Sequence, residues 1–453
     1  MTKLSAHTAT RPAAITPRFV GISGAFCGTF VTFAALVLTA PLAARTNLPP
    51  LDSATQARID RILKATPLID GHNDLPWELR EKYASRVETT DVAANSDQLP
   101  RPLQTDMARL HAGRVGGQFW SVYVPAELAG GAAVQATLEQ IDIVKRLAAR
   151  YPKDLELATT AADIVRIHKT GRVASLIGME GGHQIGNSLA VLRQMHGLGV
   201  GYMTLTHSLN NDWADSATDN PKHNGLTPFG KSVVAEMNRL GMILDLSHVS
   251  PKTMVDALAA TKAPVMFSHS DVRAVNDVAR NVPDDVLKRL PANGGVVMVN
   301  FYPGHLSQAV TTWTAVRAAE EARGKVFFNG QPERRKAALD AWDKDNPKPA
   351  TSIGLVADHI DHIVRLAGHD HVGFGGDLDG IGGDAVVGLG GADGYPLVLA
   401  ELIRRGWSDA SLAKLAGGNI LRVMRGAEAT AAAMKGVLPG GAVLEPVSSS
   451  SAK

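Results

Sequence analysis

The stretch Leu68-Ile69-Asp70-Gly71-His72-Asn73-Asp74 puts an imidazole and a carboxylate two residues apart at the end of a short apolar run. On a strand, side chains two apart share a face, so His72 and Asp74 can address one ion. A single His-x-Asp is common, but the same grammar recurs along this chain. Glu180 follows the run 173–178, His248 follows 242–246 and His269 follows 264–267; His207 follows 202–206 and Asp377 follows 372–376. Imidazole nitrogen and carboxylate oxygen suit Zn2+ and related divalent ions, and a carboxylate such as Glu180 can bridge two of them. Spacing assigns His72 and Asp74 to one ion, His248 and His269 to the other, and Glu180 to both. Two ions roughly 3.5 to 4 Å apart would hold a bridging hydroxide and polarise a carbonyl, which is hydrolase chemistry. The only cysteine is Cys27, so a thiolate-held structural zinc is not indicated.

These residues need elements that bring them together. After Arg45, short apolar runs alternate with amphipathic segments, the pattern of βα units around a parallel sheet. Eight runs stand near 67–70, 115–123, 173–178, 200–206, 241–246, 263–268, 294–301 and 371–376. Eight such units predict an α/β fold, a (β/α)8 TIM-type barrel, whose active site lies at the carboxyl ends of the strands. Every candidate above sits at that end of its own run. Thr227-Pro228 and Ser250-Pro251 read as N-caps followed by a first helical proline.

Composition bounds the rest. The chain has 453 residues, 20% of them charged, with a net charge of +2, and a near-neutral body offers no long-range attraction for nucleic acid. Lys3, Arg11 and Arg18 precede an apolar stretch from Phe19 to about Leu42, with no acidic residue before it. Residues 1–44 read either as an export signal cut near Ala43 and Ala44 or as an uncleaved anchor. Both place the protein outside the cytoplasm, in the periplasm or an equivalent compartment, with the membrane touched only through that segment. Cleavage removes three of the 46 basic residues and no acidic one, leaving 43 against 44 and a net charge of −1. Residues 45–428 form the expected barrel domain, and 429–453 a polar, flexible tail.

Several longer motifs accompany the candidates: Ile69-Asp70-Gly71-His72-Asn73-Asp74, Gly116-Gly117-Gln118-Phe119-Trp120-Ser121, Gly178-Met179-Glu180-Gly181-Gly182-His183, Thr204-Leu205-Thr206-His207-Ser208, Phe267-Ser268-His269-Ser270, Arg280-Asn281-Val282-Pro283-Asp284-Asp285, and Gly373-Phe374-Gly375-Gly376-Asp377-Leu378-Asp379-Gly380. From about Ala65 to Arg425 the chain resembles the membrane (renal) dipeptidases. The resemblance implies a binuclear zinc enzyme on a (β/α)8 barrel, with two Zn2+ per chain, that hydrolyses dipeptides. Many members accept a D-residue at the carboxyl side and some open β-lactams. It carries the metal ligands onto His72, Asp74, Glu180, His248 and His269, the same set that spacing selects. It implies that His207 contacts the substrate carbonyl oxygen, that Arg280 holds the terminal carboxylate, and that Asp377 carries the proton from water to the leaving amine. On sequence alone Asp379 could do the last task; Asp377 is preferred because it directly follows the strand. The family also implies a homodimer.

This sequence departs from the animal members in two ways. They have disulfide-forming cysteines and a carboxyl-terminal lipid-anchor signal, whereas Leu209 follows Ser208 here and the tail is polar. The segment of about 303–350, with Trp313, Phe327, Phe328 and Trp342, is also longer. It reads as a helical excursion on the rim, either a lid or a surface insertion. Asp70 and Asp245 are either orienters of ligand histidines or buried structural groups. His183 reads as structural or as a neighbour supporting a ligand, and His359, His362, His369 and His371 as structural. A binuclear hydrolase of another small amide, β-lactam or lactone is the alternative to a dipeptidase.

Overall fold

The computed structural model describes residues 51–441 and Leu444. The expected signal or anchor at 1–44 and most of the tail beyond Gly441 lie outside the described residues. Among those described, no helix is long and apolar enough to cross a membrane.

Among the described residues nine strands are present: β1 Leu68–Asn73, β2 Val115–Tyr123, β3 Leu155–Leu157, β4 Val173–Glu180, β5 Val200–Thr204, β6 Ile243–Asp245, β7 Met266–Phe267, β8 Val296–Val299 and β9 Val372–Phe374. All pairings are parallel. β1 pairs with both β2 and β9, and β2 pairs with β4, so eight strands close into a barrel. Each of the eight expected runs is one of these strands. β3 is the addition: it pairs only with Val173 to Ser175 at the start of β4, along the edge that β5 takes over from Ile177. Three residues carry too little periodicity to be recognised in a sequence.

Strands buried on both faces read as continuous apolar runs rather than as alternation. Every residue of β1, β4, β6, β8 and β9 is buried. One buried cluster takes Ile69, Phe119, Leu176, Tyr202, Ile243, Met266 and Met298 from successive barrel strands, the side-chain layering that makes such a barrel a packed core. The expected caps are present. Thr227 accepts from Gly230 N and Ser250 from Thr253 N, each before a helix that starts on proline, Pro228–Leu240 and Pro251–Ala260.

Two boundaries differ from expectation. Asp74 is not a strand residue: β1 ends at Asn73, its register slips between Asp70 and Asn73, and Asp74 is the N-cap of the helix Leu75–Tyr83. Strand alternation is therefore not what aligns it with His72; the turn into the helix does that. The tail begins later than residue 429, because the helix Asn419–Ala433 continues past it, with Val423, Met424 and Ala427 in its buried face.

The 303–350 segment folds as a short helix Pro303–Leu306 followed by a hairpin of helices, Gln308–Phe327 and Pro332–Asp345. Arg317 bonds Asp343 through two nitrogens at 2.7 and 2.8 Å, and the Trp313 and Trp342 rings lie 6.1 Å apart. Only Val310 and Gly324 of the hairpin are buried.

Candidate active site

The carboxyl ends of the strands surround a cavity of about 570 Å3, lined among others by Asp74, Glu180, His207, His248, His269 and Asp377. Glu180, the last residue of β4, is a buried part of that lining. Its Oε1 lies 3.0 Å from His248 Nε2 and 3.4 Å from His269 Nε2, and its Oε2 lies 3.5 Å from His72 Nε2. Ser121 of β2 donates to Oε2 at 3.2 Å.

The hydrogen-bond network sets the histidine tautomers. The Tyr202 hydroxyl donates to Gly71 O, so it receives a proton from His72 Nδ1, 2.9 Å away. Ser268 Oγ donates to Asp245 Oδ2 at 2.6 Å, so it receives one from His269 Nδ1 at 2.8 Å. Both rings then turn an Nε2 lone pair toward Glu180. His72 Nε2 is buried with no hydrogen-bond partner among the described residues, and it faces Asp74 Oδ2 at 3.3 Å. His248 Nε2 and His269 Nε2 approach to 2.9 Å. Lone pairs and carboxylates converging at these distances repel unless a cation lies among them. Three groups of ligand atoms lie within 4.8 Å of one another: His72, Glu180 and His269; Glu180, His207 and His248; His72, Asp74 and Asp377. The donor chemistry fits a divalent metal bound by nitrogen and oxygen.

His207 follows β5, with Nε2 3.7 Å from Glu180 Oε1 and its ring 4.3 Å from that of His248. His248 takes a left-handed conformation, φ 67°, and its carbonyl is fixed by Ala217 N–H. Asp377 follows β9, also with positive φ (57°), and accepts from Asn300 Nδ2 at 2.9 Å. Burial, reinforced by Asp74 and Glu180, pushes its carboxyl well above the usual range. Asp379, by contrast, is occupied by Gln104, whose N–H it accepts at 2.7 Å, and it joins none of the ligand groups. Arg280 is 4% exposed and does not line the cavity; it donates to Ser270 Oγ and His269 O, and its Nε has no partner among the described residues.

Asp245 and Asp70 have different surroundings. Asp245 acts on His269 through Ser268. Asp70 accepts from Gln118 Nε2 and Gly376 N, each at 2.6 Å, and so ties β1 to β2 and to the residue after β9. His183 touches the backbone near Val124 and Pro125, and burial pushes it down to about 4. His359 and His362 are engaged by Leu306 O and Asp284, and His371 by Gly295 O at the opposite end of the barrel.

Residues 56–437 match the family described as membrane dipeptidase, peptidase family M19. The chain is 40% identical over 386 residues to dipeptidase verJ of Clonostachys rogersoniana, covering 83% of this chain and 88% of that protein. The chain belongs to the membrane dipeptidase family. As a member it is a metal-dependent hydrolase of the peptide bond in dipeptides. Among solved structures it is similar to the probable dipeptidase PvdM of Pseudomonas aeruginosa, with a TM-score of 0.70 at 26% identity over 83% of this chain and 98% of that one. A metallo peptidase from Rhodobacter sphaeroides, liganded with a phosphinate mimic of L-Ala-D-Ala, shares the fold at TM-score 0.66 and 23% identity, covering 80% and 99% of the two chains.

For this dipeptidase the structure adds residues that the sequence reading leaves out. Trp77, Tyr123, Tyr302 and His305 also line the cavity. Tyr123 ends an expected strand and Tyr302 and His305 follow another, so asking what the two remaining strand ends carry would have found them. Tyr202 lies inside its strand and has no such signal. None of the hairpin residues 308–345 lines this cavity.

Proposed function

We propose that this dipeptidase works with two zinc ions, one held by His72 and Asp74, the other by His248 and His269, with Glu180 between them. The observation that carries this reading is the division of Glu180: one oxygen faces His72, the other faces His248 and His269. All-nitrogen-and-oxygen donors suit zinc. When bound, the ions supply Lewis acidity to the scissile carbonyl and to the attacking water.

The chain's own residues do the rest. His207, at the cavity wall beside His248, donates to the carbonyl oxygen of the scissile bond as charge develops there. Asp377 takes the proton of the attacking water and delivers it to the leaving amine, and Asn300 holds its carboxyl in place. Arg280, a guanidinium buried behind the cavity wall whose Nε has no hydrogen-bond partner among the described residues, is the cation for the substrate's terminal carboxylate. The basic, then apolar amino terminus supports export, which amino-terminal sequencing of the secreted or membrane fraction tests.

The test of function combines metal analysis with kinetics. Wild-type protein should bind two zinc ions and hydrolyse dipeptides, and Glu180→Gln should lose both properties. Wild-type-like turnover by that variant would end the reading. Comparing L-Ala-D-Ala, its carboxyl-amidated form and a lactone addresses the bond cleaved, because only recognition through Arg280 requires a free carboxylate.

A further inference from the structure

The candidate residues leave two barrel strands without a role in the chemistry, and one of these, β2, ends on Tyr123. In the ladder Tyr123 is the partner of Glu180. Partners on neighbouring strands are about 4.8 Å apart with side chains on the same face. Ser121, two residues earlier on that face, is the group that bonds Glu180 Oε2. Tyr123 therefore stands on the Glu180 side of its strand, one layer nearer the mouth, and it lines the cavity.

Its ring is fixed from two sides. Trp77 packs edge-on at 4.8 Å and 85°, and the His207 ring lies 4.9 Å away. The hydroxyl makes no hydrogen bond among the described residues, although the ring is half-buried. An ordinary phenol, with a pKa of about 10, keeps its proton at neutral pH. Tyr123 stands beside His207, their rings 4.9 Å apart, and so shares the side of the cavity from which His207 reaches the scissile carbonyl.

We propose that the Tyr123 hydroxyl is a second hydrogen-bond donor to the carbonyl oxygen of the scissile bond, acting beside His207. This rests on the dipeptidase reading above. A rigid, protonated, otherwise unpartnered donor is what a developing negative oxygen requires, because no reorganisation is needed as the charge appears.

Tyr123→Phe removes the hydroxyl and keeps the ring against Trp77 and His207. In the zinc-loaded enzyme, kcat for L-Ala-D-Ala should fall roughly 100-fold while KM moves by less than about threefold. The inhibition constant of a phosphinate analogue of the same dipeptide should rise in parallel, with zinc content and thermal midpoint unchanged. An unchanged kcat and phosphinate affinity would overturn the proposal, as would an effect confined to KM, which would make Tyr123 only a pocket wall. A loss of zinc that accounts for the lost activity would overturn it too. Wild-type protein inert toward every dipeptide would instead remove the dipeptidase reading itself.

Discussion

The Tyr202 hydroxyl lies 2.9 Å from His72 Nδ1 and passes its own hydrogen to Gly71 O. This pins the His72 ring and leaves its Nε2 lone pair turned toward Asp74 and Glu180. Groups that orient a ligand histidine in this way typically change metal affinity by about 10- to 100-fold when removed. Tyr202→Phe should therefore weaken metal binding by about that factor, measured by competition with a chelator, while circular dichroism stays native. Unaltered affinity would show that packing alone orients His72.

On the other side of Glu180, the relay runs from Asp245 through Ser268 to His269. Asp245 also accepts from Ser247 N–H and Ser268 N–H. Ser268→Ala cuts the relay yet leaves those backbone bonds, so metal affinity at the His248 and His269 side should fall roughly 10-fold or more with little loss of stability. Metal titration should then show one tight and one weakened site; two unaltered sites would contradict the relay.

Gly178 makes room for the same tyrosine. A Cβ placed there would meet Tyr202 Cζ at 2.0 Å. Since neither the barrel wall nor a wedged ring can easily give way, Gly178→Ala should cost about 1–3 kcal/mol in urea unfolding. It should also mimic the metal-binding defect of Tyr202→Phe. A stable variant with normal metal affinity would place the ring elsewhere.

Acid sensitivity should have a component at His359, on the helix Ile353–Ala367. Its Nδ1 accepts from Val272 N–H and its Nε2 donates to Leu306 O, so the ring is fully bonded only when neutral. Burial lowers it from 6.5 to about 4. Asp271, 3.9 Å away, is itself pushed up by burial and adds little counter-charge. Because the folded-state value lies below the unfolded one, the unfolded chain binds the extra proton first. Stability is full above about pH 6.5 and declines as pH falls toward 4, by on the order of 3 kcal/mol in all. His359→Gln should flatten that part of a denaturation-against-pH curve, and an identical slope in the variant would refute the assignment.

The eight barrel strands were legible in the sequence because parallel strands covered on both faces must be apolar throughout, and that leaves a local trace. The residues that follow them were legible for the same reason: His72, Glu180, His207, His248, His269 and Asp377 each occur where an apolar run stops. Caps such as Thr227 and Ser250 act within three residues and were equally visible. What the sequence could not express is any relation that exists only once β1 has closed on β2 and β9. The Tyr202 bond to His72 spans 130 positions, and Gln118 reaches Asp70 across 48. Closure also decided that Asp245, but not Asp70, acts on a ligand histidine, and that Asp377 rather than Asp379 joins the ligand cluster. Residue type and position marked the chemistry of the site. Its geometry, above all the two directions in which Glu180 faces, depends on distances between strands that no local pattern records.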